Sequence, residues 1–176
     1  MRSCPRKVEV FKLVAAYSLA CACLASTACQ QLKEVGADGS RLYASNEDAG
    51  TASVIDLKTG RTLATFVVGT EPEGCRVSPD GRWVYVTLET GNVVSVIDAQ
   101  TNAVVSSFLV ASRPRDLAFS PDGTRAYVTT EVGRTLEVVD TSTRAVVRTV
   151  WLPRGAGACA ACADIRRFMR YILRTP

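Results

Sequence analysis

Tyr43, Tyr85 and Tyr127 stand 42 residues apart, and the residues around them recur in step. Each tyrosine opens a matching stretch that closes on an aspartate: Tyr43 to Asp56, Tyr85 to Asp98 and Tyr127 to Asp140. An Asp-Gly pair precedes each one (Asp38-Gly39, Asp80-Gly81, Asp122-Gly123), twice within Ser-Pro-Asp-Gly. A fixed period of this length, built of strand-like runs and tight turns, means that one small β unit has been copied. Few folds admit such a repeat.

The copy spanning residues 74 to 110 reads most clearly. Gly74 to Pro79 is a short run ended by Pro79-Asp80-Gly81, where proline presets one turn dihedral and glycine supplies the left-handed position. Trp83 to Thr87 follows, with Trp83, Tyr85 and Thr87 on one face and Val84 and Val86 on the other. Gly91-Asn92 makes the second reversal. Val93 to Asp98 is a third, β-branched run, and Val104 to Val110 a fourth. Four short runs joined by tight turns make one antiparallel meander, the size of a propeller blade. The turn after the third run carries Gly60, Asn102 and Arg144 in successive copies, so Arg144 is expected in a strained left-handed corner. A single copy cannot bury its own faces, so stacked copies are required. The fold class read here is all-β: four-stranded antiparallel β-propeller blades on a 42-residue repeat, about three of them, forming an incomplete ring.

Tyr85-Val86-Thr87 followed by Val93-Val94-Ser95-Val96-Ile97-Asp98, with Ser78-Pro79-Asp80-Gly81 upstream, resembles the YVTN family of β-propeller repeats. The family's asparagine is kept at Asn46 and replaced by Leu88 and Thr130. The resemblance covers roughly residues 32 to 152. It implies blades arranged around a central channel, typically seven, with the Ser-Pro-Asp-Gly strand innermost. The glutamates after the tyrosine strand (Glu47, Glu89, Glu131) and the leader described next bring the chain near bacterial periplasmic propellers associated with PQQ-dependent catabolism. That likeness implies a protein partner in the periplasm or envelope, such as a quinoprotein alcohol-oxidising system.

Residues 1–29 have the layout of a secretory signal: Arg2, Arg6, Lys7 and Lys12, then an apolar stretch from Leu13 to Ala28. Ser26-Thr27-Ala28-Cys29 resembles a lipoprotein processing site, which makes Cys29 the candidate for lipidation and for a membrane anchor, with Cys21 and Cys23 as rivals. The organisation expected is a signal over 1–29, three blades over 30–153 and an atypical basic tail over 154–176. The net charge of +4 belongs to the leader and the tail, whereas the repeats are mildly acidic. No basic stripe interleaved with aromatics is present, which argues against nucleic-acid binding.

No histidine occurs in the sequence. Ser-His-Asp and Cys-His nucleophilic sites, ordinary zinc sites and a histidine haem ligand are therefore excluded. Of seven cysteines, only Cys75 lies within the repeats; Leu117 takes its place one period on, so it reads as a small buried apolar side chain. Cys159-Ala160-Ala161-Cys162 has redox or haem-attachment spacing, but Ala163 stands where a haem motif needs histidine. Asp56 to Gly60 is like the turn of quinoprotein propellers, yet Ala64 occupies the place of the docking tryptophan. No cofactor, metal or catalytic residue is expected.

The candidate binding face comprises Glu47, Glu89 and Glu131 with Glu73 and Arg115. Glu71-Pro72-Glu73 and Arg113-Pro114-Arg115 sit at equivalent positions leading into the innermost strand. Either the two segments line one mouth of the channel with opposite charges, or the prolines shape the turn and the charges stand in solvent. The three glutamates read as making a repeated structural bond to a turn, or as contacting a ligand.

Closing a ring takes at least four blades, and the pattern collapses after Pro153. The tail has Ile165, Phe168, Met169 and Ile172 at helical spacing. It reads as a basic amphipathic helix at a membrane surface or, preferably, as chance composition after a frame shift near residue 154. Apolar faces are then expected at both open ends. The function expected is a non-catalytic binding or scaffold propeller, lipid-anchored in the periplasm. The alternatives are a propeller-type redox enzyme or electron carrier, or a surface-layer or adhesion repeat protein.

Overall fold

A computed structural model describes residues 40–152 and the backbone of a strand at Leu32–Val35. The leader with Cys29, the Cys159-Cys162 pair and the tail lie outside the described residues. Among the described residues, twelve strands form three antiparallel sheets. Blade one holds β1 (Leu32–Val35), β2 (Arg41–Asn46), β3 (Thr51–Asp56) and β4 (Thr62–Val67). Blade two holds β5 (Pro72–Val77), β6 (Trp83–Leu88), β7 (Val93–Asp98) and β8 (Ala103–Leu109). Blade three holds β9 (Pro114–Phe119), β10 (Arg125–Thr130), β11 (Thr135–Asp140) and β12 (Ala145–Trp151). Each sheet is a simple meander in chain order, and the all-β blade architecture is as expected.

The turns explain why the register repeats. Gly60, Asn102 and Arg144 take φ values of 67°, 56° and 58°, so all three copies use the left-handed corner. Before each corner an aspartate caps two amides. Asp98 Oδ1 accepts from Gln100 and Thr101, and Asp56 and Asp140 accept in the same way. These bonds satisfy turn N–H groups that no strand reaches. They also hold the Asp56 and Asp98 carboxyls below their ordinary range, and at Asp140 the Ser142 hydroxyl does so first, with the amides adding to it. A register shift follows at one place in every blade, between Val54 and Ile55, Val96 and Ile97, and Val138 and Val139. A bulge repeated there twists each outer strand by the same amount.

The core lies between blades, not within them. Tyr43, Ala52, Val54, Phe66 and Val68 of blade one pack on Cys75, Val77, Val84, Val86 and Ile97 of blade two. One period on, Tyr85, Val94, Val96, Phe108 and Val110 pack on Leu117, Phe119, Ala126, Val128 and Val139 of blade three. Alternation along β6 thus sends Tyr85 to one neighbour and Val84 and Val86 to the other. Cys75 is fully buried within the first layer, as expected of a small apolar side chain. β5 lies against β1 and β2 on one side and β9 on the other, so the Ser-Pro-Asp-Gly strands are innermost.

One expectation needs correction. Blade three was expected to leave an open apolar face, but Tyr127 and Leu136 on that face are each only 4% exposed. Val138, Val150 and Leu152 pack against them, and no other described strand lies there.

Candidate functional site

The candidate residues sit at the end of the blades where the middle strands finish and the chain re-enters the innermost strand. Glu71 and Arg113, just before Pro72 and Pro114, take left-handed φ values of 49° and 57°. A non-glycine residue there costs on the order of 1 kcal/mol or more unless the surroundings hold it. Backbone bonds hold it in both blades. Glu89 N–H donates to the Glu71 carbonyl at 2.9 Å, and Glu131 N–H donates to the Arg113 carbonyl at 2.8 Å. The repeated bond of these glutamates is therefore made by their backbones, which leaves their carboxylates for other work.

Those carboxylates converge on two arginines. Arg115 Nη1 donates to Glu73 Oε1 at 2.6 Å and to Glu89 Oε2 at 2.5 Å, and its Nε lies 3.4 Å from Glu131 Oε2. Arg113 pairs with Glu89 and lies 4.0 Å from Glu131. The side chains of Glu73 and Glu89 are only 11% and 12% exposed. Glu73 and Glu89 are thus withdrawn from solvent, whereas Glu131 is half exposed. The physical reason is the change from Glu-Pro-Glu to Arg-Pro-Arg between consecutive blades, which sets opposite charges face to face.

Burial and neighbours split the two inner carboxylates. For Glu73, burial pushes the carboxyl up; Arg115 opposes this, and Glu47 and Glu89 reinforce it. For Glu89, burial also pushes up, but the hydrogen bond from Arg113 and the charges of both arginines outweigh it, and the carboxyl falls below its ordinary range. Among the described residues no group of three histidines, cysteines or carboxylates could hold a metal ion. The cluster locks two loops together and presents a fixed pattern of charge.

Glu47 stands apart from that cluster. It is exposed, and with Asp48 and Glu71 it borders a hollow of about 540 Å³ at the boundary of blades one and two. Glu71 accepts a hydrogen bond from Thr90. The equivalent boundary between blades two and three is filled by arginine, whereas this one faces carboxylate with carboxylate.

Sequence reading missed the ties beneath this face. Ser45 Oγ donates to the Glu73 carbonyl at 2.7 Å, and its counterpart Thr87 Oγ1 donates to the Arg115 carbonyl at 3.1 Å. The second strands of blades one and two thus each grip the next blade's innermost strand. Below them Arg76 Nη2 donates to Asp116 Oδ2 at 2.9 Å, with both side chains buried. The signal was available: Arg76 and Asp116 stand where the other copy has Ala118 and Gly74. At the opposite end, a cleft of about 210 Å³ between blades two and three is lined by Asp80, Trp83, Tyr85, Phe119 and Asp122. Arg82 and Arg144 lie 4.7 Å and 5.1 Å from the Trp83 ring centre.

Solved structures share this architecture. Hydrazine synthase of Kuenenia stuttgartiensis is similar at 30% identity and a TM-score of 0.64, over 66% of this chain and 34% of that one. The WD40 repeats of RRP9 align at 17% identity and a TM-score of 0.64, over 73% of this chain and 40% of that one. U3-55K aligns at 16% identity and a TM-score of 0.66, over 74% and 42%. The chain spans between a third and a little over two fifths of the length of these structures, and the last two bear on the fold alone. A search of curated proteins found no match. The family model described as YNCE-like beta-propeller matches residues 58–161, more than half of the chain and both of its described inter-blade layers in large part. With three stacked four-stranded blades and that match, the chain belongs to the YNCE-like β-propeller family.

Proposed function

We propose that this chain is a non-catalytic binding module of the bacterial envelope, exported by residues 1–29 and anchored through a lipid on Cys29. The carrying observation is the patterned charge at one end of the blades. The acidic hollow of Glu47, Asp48 and Glu71 lies beside the clamped Glu73–Arg115–Glu89 cluster. Fixed charge on rigid loops gives specificity and rapid association with a partner of complementary charge. The partner in this reading is a protein with a basic docking patch, and the YVTN-like motifs favour a component of a PQQ-dependent alcohol-oxidising system. Calorimetric titration of the chain with a purified quinoprotein alcohol dehydrogenase tests it. Glu47→Lys with Glu71→Lys should weaken binding at least tenfold, and salt should weaken the unmodified pair. Equal affinity for a chain altered at Asp80 and Asp122, on the opposite end, is the control. Absence of binding by the unmodified chain overturns the partner.

The alternative of an enzyme or carrier is favoured by the similarity to hydrazine synthase. An absorbance spectrum separates the two, since a cofactor band in purified protein contradicts a purely binding role. Export and anchoring are tested by fractionation: Cys29→Ser should move the chain from the membrane fraction to the soluble periplasmic one.

A further inference from the structure

At the cleft between blades two and three the repeat departs from itself. At the boundary of blades one and two the Tyr43 hydroxyl donates to the Ala99 carbonyl at 3.2 Å, and Arg41 Nη1 donates to the same oxygen at 3.3 Å. One period on, Trp83 replaces Arg41, Phe119 replaces Val77 and Thr141 replaces Ala99. There the Thr141 hydroxyl donates to the Gly123 carbonyl at 2.7 Å, and no carbonyl among the described residues accepts from Tyr85. Tyr85 lines the cleft although it is only 1% exposed. Burial raises its hydroxyl above the ordinary range, against the pull of Arg144, so the group stays protonated. Arg144 can only donate to it, and the phenolic proton has no acceptor among the described residues. A buried donor in this state needs a partner.

Two acceptors line the same cleft. Asp80 and Asp122 each spend Oδ1 on their own turn, where Ser78 and Arg82 donate to the first and Ser120 and Thr124 to the second. Oδ2 of each has no hydrogen-bond partner elsewhere among the described residues. The serine hydroxyls hold both carboxyls below their ordinary range, so both are charged at neutral pH. Trp83 and Phe119 supply apolar walls, and Trp83 already attracts the guanidinium groups of Arg82 and Arg144. The volume of about 210 Å³ is room for about seven waters or for one small organic molecule.

We propose that this cleft binds a free α-amino acid with an apolar side chain. Its ammonium meets Asp80 and Asp122, a carboxylate oxygen takes the Tyr85 proton beside Arg144, and its side chain lies against Phe119 and Trp83. A bare amine satisfies only the aspartates, and a bare acid only Tyr85 and Arg144. The site is separate from the acidic end of the blades and does not rest on the partner proposed for that end.

Calorimetric titration of the purified chain with L-leucine, isoamylamine and isocaproate tests this, since the last two are leucine without its carboxylate and without its ammonium. Leucine should bind, and the other two at least about tenfold more weakly. Asp122→Asn, which retains an oxygen for the turn, should weaken leucine at least about tenfold, and so should Tyr85→Phe. Should Tyr85→Phe not fold, Asp80→Asn takes its place. Glu47→Lys with Glu71→Lys should leave leucine binding unchanged. Absence of saturable heat at millimolar leucine overturns the inference. Isoamylamine or isocaproate binding as tightly as leucine overturns it too, as does undiminished binding by Asp122→Asn.

Discussion

Arg76 and Asp116 close a buried ion pair 2.9 Å long across the boundary of blades two and three. Neither residue belongs to the repeat, since the equivalent positions hold Ala118 and Gly74. The pair therefore specifies which two blades are neighbours, where the shared apolar pattern would accept any two. Removing one partner takes the strongest bond from a charge that stays buried. Asp116→Ala should destabilise by about 3 kcal/mol, whereas Arg76→Ala with Asp116→Ala should cost less than the sum of the two single changes. Urea denaturation of the four proteins measures the coupling.

Gly74 makes room for that aspartate. A Cβ at position 74 would fall 2.8 Å from the Arg115 carbonyl oxygen and 2.9 Å from Asp116 Cα. Both are backbone atoms of an innermost strand and cannot swing aside. Gly74→Ala should lower stability by about 2 kcal/mol, because overpacking a tight contact forces backbone shifts. The thermal midpoint reports it.

The corner at Arg144 is left-handed like those at Gly60 and Asn102, yet arginine is poorly suited to it. Its guanidinium reaches back to blade two, where it bonds Ser106 and lies over Trp83. Arg144→Gly should therefore change stability by less than about 1 kcal/mol, an eased backbone offsetting a lost cation–π contact. Arg144→Val should destabilise by about 2 kcal/mol, since a β-branched residue resists that φ and brings no such contact. Trp83 fluorescence should shift in both.

Glu73 and Glu89 share Arg115 but should respond oppositely to acid. Burial first, with Glu47 and Glu89 adding to it, raises the Glu73 carboxyl above the ordinary 4.5. Its ionisation therefore opposes folding at neutral pH, and that opposition fades as pH falls through the raised value towards 4.5. Glu89 is depressed, so its stabilisation is full above 4.5 and is lost as pH falls through its lower folded value. Glu89→Gln should destabilise by about 1 kcal/mol at pH 7. Glu73→Gln should cost less at pH 7, and wild type should gain on it as the solution is acidified towards pH 5. Denaturation at pH 7, 5 and 4 resolves the two slopes.

Much of this architecture can be read from spacing alone. The period, the Asp-Gly corners and the alternation at Trp83 to Thr87 specify strands, turns and facing, because each is a local backbone or pleat rule. Arg144 at a left-handed corner follows from its place in the series with Gly60 and Asn102. The charge cluster was only half legible. The switch from Glu-Pro-Glu to Arg-Pro-Arg is visible in one dimension, but its consequence for Glu73 and Glu89 depends on how closely two blades approach. Arg76 with Asp116 was missed for a related reason: a pair 40 residues apart looks like two unrelated departures until the strands carrying them lie side by side.

The two greasy layers between described blades are each co-owned by successive copies, the second by Tyr85 from one and Leu117 from the next. A spare copy spliced in frame between two existing ones would bring a complete pair of mating surfaces and orphan none. Growth or shrinkage by whole units is thus structurally easy for such a lineage, whereas gain or loss of half a unit would leave a tyrosine facing water.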